Sequence, residues 1–318
     1  MKWEKLGKIF DPLDYELYDD YIGYAQSPQV LINDNFIRIY FSTRKKSDNG
    51  KYISHIQYVD MNKDFTKVLD VSKHEVVPTG KLGCYDEHGI FPINILDYNG
   101  EIFAYLSGWS RRISVSVETG IGIAKSYNNG RTFSKLGDGP ILTSSLHEPY
   151  LVVDGFVKNY DNIFHMWYIY GTEWTQINDN EEAERTYKIG HATSLDGVIW
   201  NKESKQIISD SIKYECQALP TVIKIRNRYH MYFAYRSTFD FRNNSNNSYK
   251  IGYAYSDDLI KWTRDDNNAG IELSDTGWDC EMMSYPHVFE CDNEVYMLYN
   301  GNSFGKDGFG IARLTKSE

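Results

Sequence analysis

A chain of 318 residues with a net charge of −10 and no basic stripe is a poor match for nucleic acid or an anionic membrane, so neither is an expected partner. Its aromatic content of 15%, with 26 Tyr and 7 Trp, suits half-buried pleated strands and sugar-stacking surfaces better than helical packing. Four cysteines (Cys84, Cys216, Cys280 and Cys291) show neither CxxC spacing nor a metal-site pattern, so reduced thiols are expected, with no metal and no cofactor.

The N-terminal Met1-Lys2-Trp3-Glu4-Lys5-Leu6 lacks the apolar segment of a secretory signal, and no later run approaches a membrane span. A cytoplasmic protein is therefore expected. Further along, five prolines (Pro28, Pro92, Pro149, Pro220 and Pro286) open comparable apolar strands at intervals of about 65 residues. Each is followed by an aromatic-alternating strand at 36–44, 101–108, 164–171, 229–236 or 295–301, then by a third at 52–59, 120–126, 187–194, 250–256 or 308–314. Three of these third strands run into an Asn/Asp turn and an aromatic, Phe133, Trp200 or Trp262, that starts a fourth.

A unit of four short antiparallel strands cannot bury its faces alone, but five such units can when arranged radially. The fifth unit lacks its fourth strand, and residues 3–10 supply one. The expected fold is all-β: a single five-bladed β-propeller domain spanning 1–318, with four antiparallel strands per blade and the ring closed by the N-terminal strand. In that geometry one face receives the acidic clusters before the prolines together with Arg44, Trp109, Trp174, Arg236 and Phe304. Carboxylates ringed by aromatics and arginines suit a carbohydrate, although surface turns are polar in any case.

The repeated Pro-strand, the aromatic second strand and elements such as Ile189-Gly190-His191-Ala192-Thr193-Ser194-Leu195-Asp196-Gly197 with Trp200 resemble the five-bladed propeller glycosidases, glycoside hydrolase families 43 and 32. The resemblance covers the whole chain. It implies three carboxylates projecting into an axial funnel from the first strands of blades one, three and four, with the blade-four glutamate as general acid. Carried over, Glu215 takes the place of the acid and Glu148 that of the blade-three carboxylate. Ser27 stands where the blade-one aspartate would be. Asp86, Glu87 and Glu281, in the clusters of blades two and five, are candidate substitutes, and Glu87, Glu215 and Glu281 all lie five residues before their prolines. Acetal cleavage asks for one protonated carboxyl and one ionised one on opposite sides of the bond.

For each candidate a structural role stays open: Glu215 as a turn residue, Glu87 and Glu281 as salt-bridge partners of Arg44 or Arg236, His88 and His147 as packing groups. Arg44 and Arg236 are expected to hold an anionic or polyhydroxylated group, and Trp109, Trp174 and Phe304 to stack on the sugar. The stretch 126–133 looks like the sialidase Asp-box, a turn motif without catalytic role. The leading expectation is a glycoside hydrolase acting on an oligosaccharide or glycoside. The missing blade-one aspartate keeps two alternatives open, a phosphorylase or glycosyltransferase-like enzyme and a non-catalytic carbohydrate-binding propeller.

Overall fold

Alternating aromatic and β-branched residues, punctuated by Asn, Asp and Gly, leave the chain little choice but short antiparallel strands. The computed structural model of the protein describes residues 1–47, 50–176, 178 and 182–315. The first strand, β1 (Trp3–Phe10), is followed by blade one: β2 (Gln26–Ile32), β3 (Ile37–Lys46), β4 (Tyr52–Met61) and β5 (Val68–Val71). Blade two comprises β6 (Ile90–Tyr98), β7 (Glu101–Arg111), β8 (Val117–Ser126) and β9 (Ser134–Lys135). Blade three comprises β10 (Val152–Tyr160), β11 (Ile163–Thr175), β12 (Glu184–Ser194) and β13 (Asn201–Lys202). Blade four comprises β14 (Glu215–Ile225), β15 (Arg228–Ser237), β16 (Lys250–Ser256) and β17 (Thr263–Arg264). Blade five has β18 (Ser284–Cys291), β19 (Glu294–Asn300) and β20 (Phe309–Leu314), and β1 pairs with β20 as its outermost strand.

The propeller expected from the sequence is the fold observed, including its closure by residues 3–10. Two-residue hairpins join first to second strands in blades two to five, and a four-residue loop does so in blade one. At Asn99-Gly100, Asp161-Asn162 and Asp292-Asn293 both residues have positive φ, the conformation whose twist matches the flanking strands. At the third-to-fourth connections Asp196 and Asp258 accept hydrogen bonds from the backbone two and three residues on, and Asn128 receives one from Thr132. This is the local bonding that makes Asx turns.

The core lies between blades. Phe156 and Trp167 of blade three, for example, share a buried cluster with Val222, Met231 and Phe233 of blade four. Each such side chain contributes about 1.5–3 kcal/mol by leaving water.

Around the axis, the inner strand of each blade is an edge whose outward N–H groups need partners. Polar side chains of the neighbouring blade supply them. Asn94 accepts from Val157 N at 2.9 Å, Thr221 from Val288 N at 3.1 Å and His287 Nε2 from Val30 N at 3.3 Å. Asn94 also donates to Gln29 at 3.2 Å. The interior of the ring is therefore a packed, hydrogen-bonded plug below the axial face. Among the described residues no helix is long and apolar enough to cross a membrane, and no cluster of three or more His, Cys, Asp or Glu could hold a metal.

Candidate active site

All five inner strands break register at one place. The breaks fall between Gln26 and Gln29, Ile90 and Ile93, Val153 and Phe156, Ala218 and Thr221, and Ser284 and His287. A bulge re-aims the side chain it contains. The residue opening each break is Ser27, Phe91, Asp154, Leu219 or Tyr285. Four of these have φ between 47° and 59°, and Phe91 precedes Pro92 through a cis bond. In blades one, two, four and five a proline follows; in blade three the follower is Gly155. Pro149 is exposed and precedes β10 (Val152–Tyr160), so it does not open the blade-three strand.

Around these bulges lies a cavity of about 530 Å³ whose walls come from all five blades. Its floor carries Asp154, Ala218 and Tyr285; Phe91, Trp109, Tyr187, Tyr249 and Phe304 form aromatic walls; Arg44, Arg185, Arg236 and Arg242 complete the ring. The aromatics brace one another edge to face, Tyr249 against Tyr285 at 5.5 Å and Phe91 against Tyr285 at 5.6 Å. Tyr187 and Tyr249 share a hydroxyl–hydroxyl hydrogen bond of 2.8 Å, and Arg236 Nη2 donates to Tyr187 Oη at 2.8 Å. A hollow of the same volume lies on the opposite face, but it is lined mainly by hairpins and chain ends of blades four and five and receives no inner-strand bulge.

Asp154 is the only acidic residue among the described residues that line the axial cavity. It is 5% exposed, and burial pushes its carboxyl up to about 7 against the downward pull of the Leu219 backbone N–H and Arg185. A carboxyl so placed is part protonated at neutral pH and can deliver a proton to a leaving oxygen. Its own N–H donates to Ser107 Oγ at 3.0 Å, tying the bulge to blade two. Sequence reasoning missed Asp154 because it anchored blade three on Pro149. Counting back from the hairpins would have found it: Pro220 and Pro286 precede Arg226 and Asp292 by the interval that separates Gly155 from Asp161.

None of the five carboxylates expected in the funnel lines the cavity. Glu215, Glu148 and Asp86 have fully buried side chains, and each is ion-paired with a cation on the outermost strand of its own blade. Glu215 meets Arg264 Nη1 at 2.6 Å and also accepts from Ser211 and Ile212 N–H groups. Glu148 meets Lys202 and accepts from Tyr168 Oη at 2.6 Å; Asp86 meets Lys135. Asp279 repeats the theme with Lys5 at 2.8 Å and Tyr299 Oη at 3.0 Å. These are clasps that fasten the lead-in of the inner strand to the outer edge of the blade. The expectation that such residues project toward the axis is therefore corrected. Lying ahead of the bulge rather than at it, they reach across their own blade to a cation. Glu87 accepts from Gly83 N at 2.7 Å and sits 3.3 Å from His88. Glu281 is exposed in a separate rim cleft of about 460 Å³ with Tyr24, Arg242 and Lys306.

Four of the five expected binding residues, Arg44, Trp109, Arg236 and Phe304, do line the cavity. Trp174 stands behind it, against the Arg185 guanidinium 5.9 Å from its ring, while Trp109 takes the same guanidinium at 5.1 Å.

No family model matches the chain. Two uncharacterized proteins of Mycobacterium tuberculosis, from strains CDC 1551 / Oshkosh and ATCC 25618 / H37Rv, are each 29% identical to it over 315 residues, covering 99% of both chains. Among solved structures, a glycoside hydrolase superposes with a TM-score of 0.73 at 16% identity, covering 99% of this chain and 93% of that one. A thermostable family-43 glycoside hydrolase superposes with a TM-score of 0.67 at 14% identity, covering 95% and 94%. The chain has the fold of the five-bladed glycoside hydrolases.

Proposed function

We propose that the protein is a glycan-active enzyme that works in the axial cavity with Asp154 as proton donor. The observation that carries this is a buried carboxyl, poised near neutrality, at the bottom of an aromatic-walled pocket lined from five blades. Glycoside hydrolases among the solved structures of the same fold support it. In the step envisaged, the Asp154 proton passes to the glycosidic oxygen as the bond from that oxygen to the anomeric carbon breaks. The leaving sugar departs as an alcohol and Asp154 becomes a carboxylate.

What completes the anomeric carbon is a second question. Hydrolysis by two carboxyl groups asks for a partner roughly 5–10 Å away across the bond. Asp154 has no acidic companion among the described lining residues. This favours the reading in which the acceptor needs no carboxylate to activate it: phosphate, whose oxygen would attack the anomeric carbon and leave a sugar 1-phosphate, or a second sugar. The placement of Glu215, Glu148 and Asp86 in clasps supports moving the acid from blade four to blade three.

The experiment is a panel of aryl glycosides and oligosaccharides incubated in water alone, with phosphate, and with sugar-nucleotide donors. Asp154→Asn is expected to abolish turnover while sugar binding persists. Full activity in that variant would remove Asp154 from the chemistry, and product formation requiring water alone would exclude the transfer reading.

A further inference from the structure

Three arginines of the axial cavity have no carboxylate partner among the described residues. Arg44 stacks on Tyr24 at 4.1 Å, Arg185 lies between Trp109 and Trp174, and Arg236 sits 3.4 Å from the Phe241 ring centre. The fourth, Arg242, is neutralised by Glu184 at 2.7 Å. This is unusual for the molecule. Its net charge is −10, and Arg38, Lys135, Lys188, Lys202 and Arg264, all buried or nearly so, each meet a carboxylate.

Arg236 is the most telling of the three. It is 3% exposed, its two terminal nitrogens are spent on Tyr187 Oη and the carbonyls of Ser237 and Thr238, and its buried Nε has no partner. A buried guanidinium without a counter-charge is costly to the fold, and its fork of donors matches the planar oxygens of a carboxylate or a phosphate. All three line the one cavity that Asp154 and Tyr285 also line.

We propose that the ligand of the axial cavity carries an oxyanion, held by Arg44, Arg185 and Arg236 beside Asp154. The oxyanion is either the carboxylate of an acidic sugar or a free phosphate that serves as acceptor. Aromatic faces already cover the flat sides of the guanidinium groups, which leaves the N–H edges of Arg44 and Arg185 and the Nε–H of Arg236 to grip it. This inference rests on the axial cavity being the sugar site, and it names the class of ligand that site takes.

The test uses the full chain in calorimetric titrations at low salt with glucuronate, galacturonate, glucose, galactose and inorganic phosphate. At least one anion should bind at least tenfold more tightly than the neutral sugars and weaken as salt is added. Tight binding of a uronate identifies the sugar as the source of the charge; tight binding of phosphate alone identifies the acceptor. Arg44→Gln and Arg185→Gln, at half-exposed positions that tolerate substitution better than Arg236, should each weaken that anion about tenfold or more. Equal affinity for neutral and anionic probes, or unchanged anion affinity in both variants, overturns the proposal. Asp154→Asn should retain anion binding, so loss of turnover there alongside intact binding tests the catalytic reading separately.

Discussion

Glu215→Gln distinguishes a catalytic carboxyl from a structural one. Glu215 Oε1 accepts from Arg264 Nη1 at 2.6 Å and Gln217 Nε2 at 2.8 Å, and Oε2 accepts from Ser211 N at 2.9 Å, Ser211 Oγ at 3.0 Å and Ile212 N at 3.2 Å. A glutamine has the same shape but no charge, and one of its ends is a donor. Whichever way it turns, an NH₂ group faces either the guanidinium or the Ser211 and Ile212 donors. Breaking a buried pair from one side costs about 3–5 kcal/mol, because the other charge is left stranded. Arg264 keeps Asp266 through Nε at 2.9 Å, which places the loss at the lower end, about 3 kcal/mol. For a chain of this size each kcal/mol moves Tm by roughly 2 °C, so a fall of about 6 °C is expected. Thermal unfolding followed by circular dichroism reads this directly, and turnover is measured well below the transition. The expected outcome is lower stability with the kcat of the folded fraction kept within about threefold, since Glu215 does not touch the cavity. A thousandfold loss of kcat at unchanged Tm would refute the clasp and return Glu215 to the chemistry.

Three further outcomes follow from the same geometry. The Asp154 carboxyl binds its proton more tightly folded than unfolded, so its contribution is full below about pH 4 and is lost as pH rises through about 7. Asp154→Asn should therefore match the parent protein at pH 4 and exceed it at pH 8 by up to about 3–4 kcal/mol in urea titrations, and equal stability at both pH values would contradict the burial argument. Deleting residues 1–10 removes the outer strand of blade five, buried Trp3 and Phe10, and the Lys5–Asp279 clasp, so cooperative unfolding should be lost or shifted sharply downward in calorimetry. Trp109→Ala takes away a cavity wall and the ring over Arg185; ligand affinity should fall by about 1–2 kcal/mol with the fold intact, as read by titration beside a melting curve.

The fold was legible because its signals are local and repeated. The hairpins, the aromatic second strands and the closing strand at 3–10 follow from turn chemistry and period-two patterning, each seen several times over. That four of the five residues expected around the ligand line the cavity has the same cause, since the ends of second strands and the connections beyond them are fixed once the blades are aligned. The carboxylates were not. Whether an acid ahead of a strand turns to the axis or to the blade's outer edge depends on a cation some fifty residues away, as with Glu148 and Lys202 or Glu215 and Arg264, and no local pattern carries that. Blade three added a second obstacle. Its bulge has Gly155 where the others have proline, and an exposed proline six residues upstream imitated the marker.

That substitution is also the strongest argument for Asp154. The bulge demands a backbone that side chains other than glycine adopt reluctantly, and aspartate tolerates it better than most. Conformation alone does not require an acid there, however, because Ser27, Leu219 and Tyr285 occupy the equivalent position in blades one, four and five at similar φ. Nor does its one polar contact account for an acid there: the Leu219 backbone N–H and the Arg185 charge favour the carboxylate, but burial outweighs both. The clasp acids Asp86, Glu148, Glu215 and Asp279 show how this fold secures a buried carboxylate when stability is the purpose, with a lysine or arginine at hydrogen-bond distance. Asp154 has no such partner among the described residues and bears the cost of burial in the one place where five blades and three uncompensated arginines meet. A group kept at a disadvantage to the fold, and kept there in only one of five repeats, is best accounted for by what it does to a ligand.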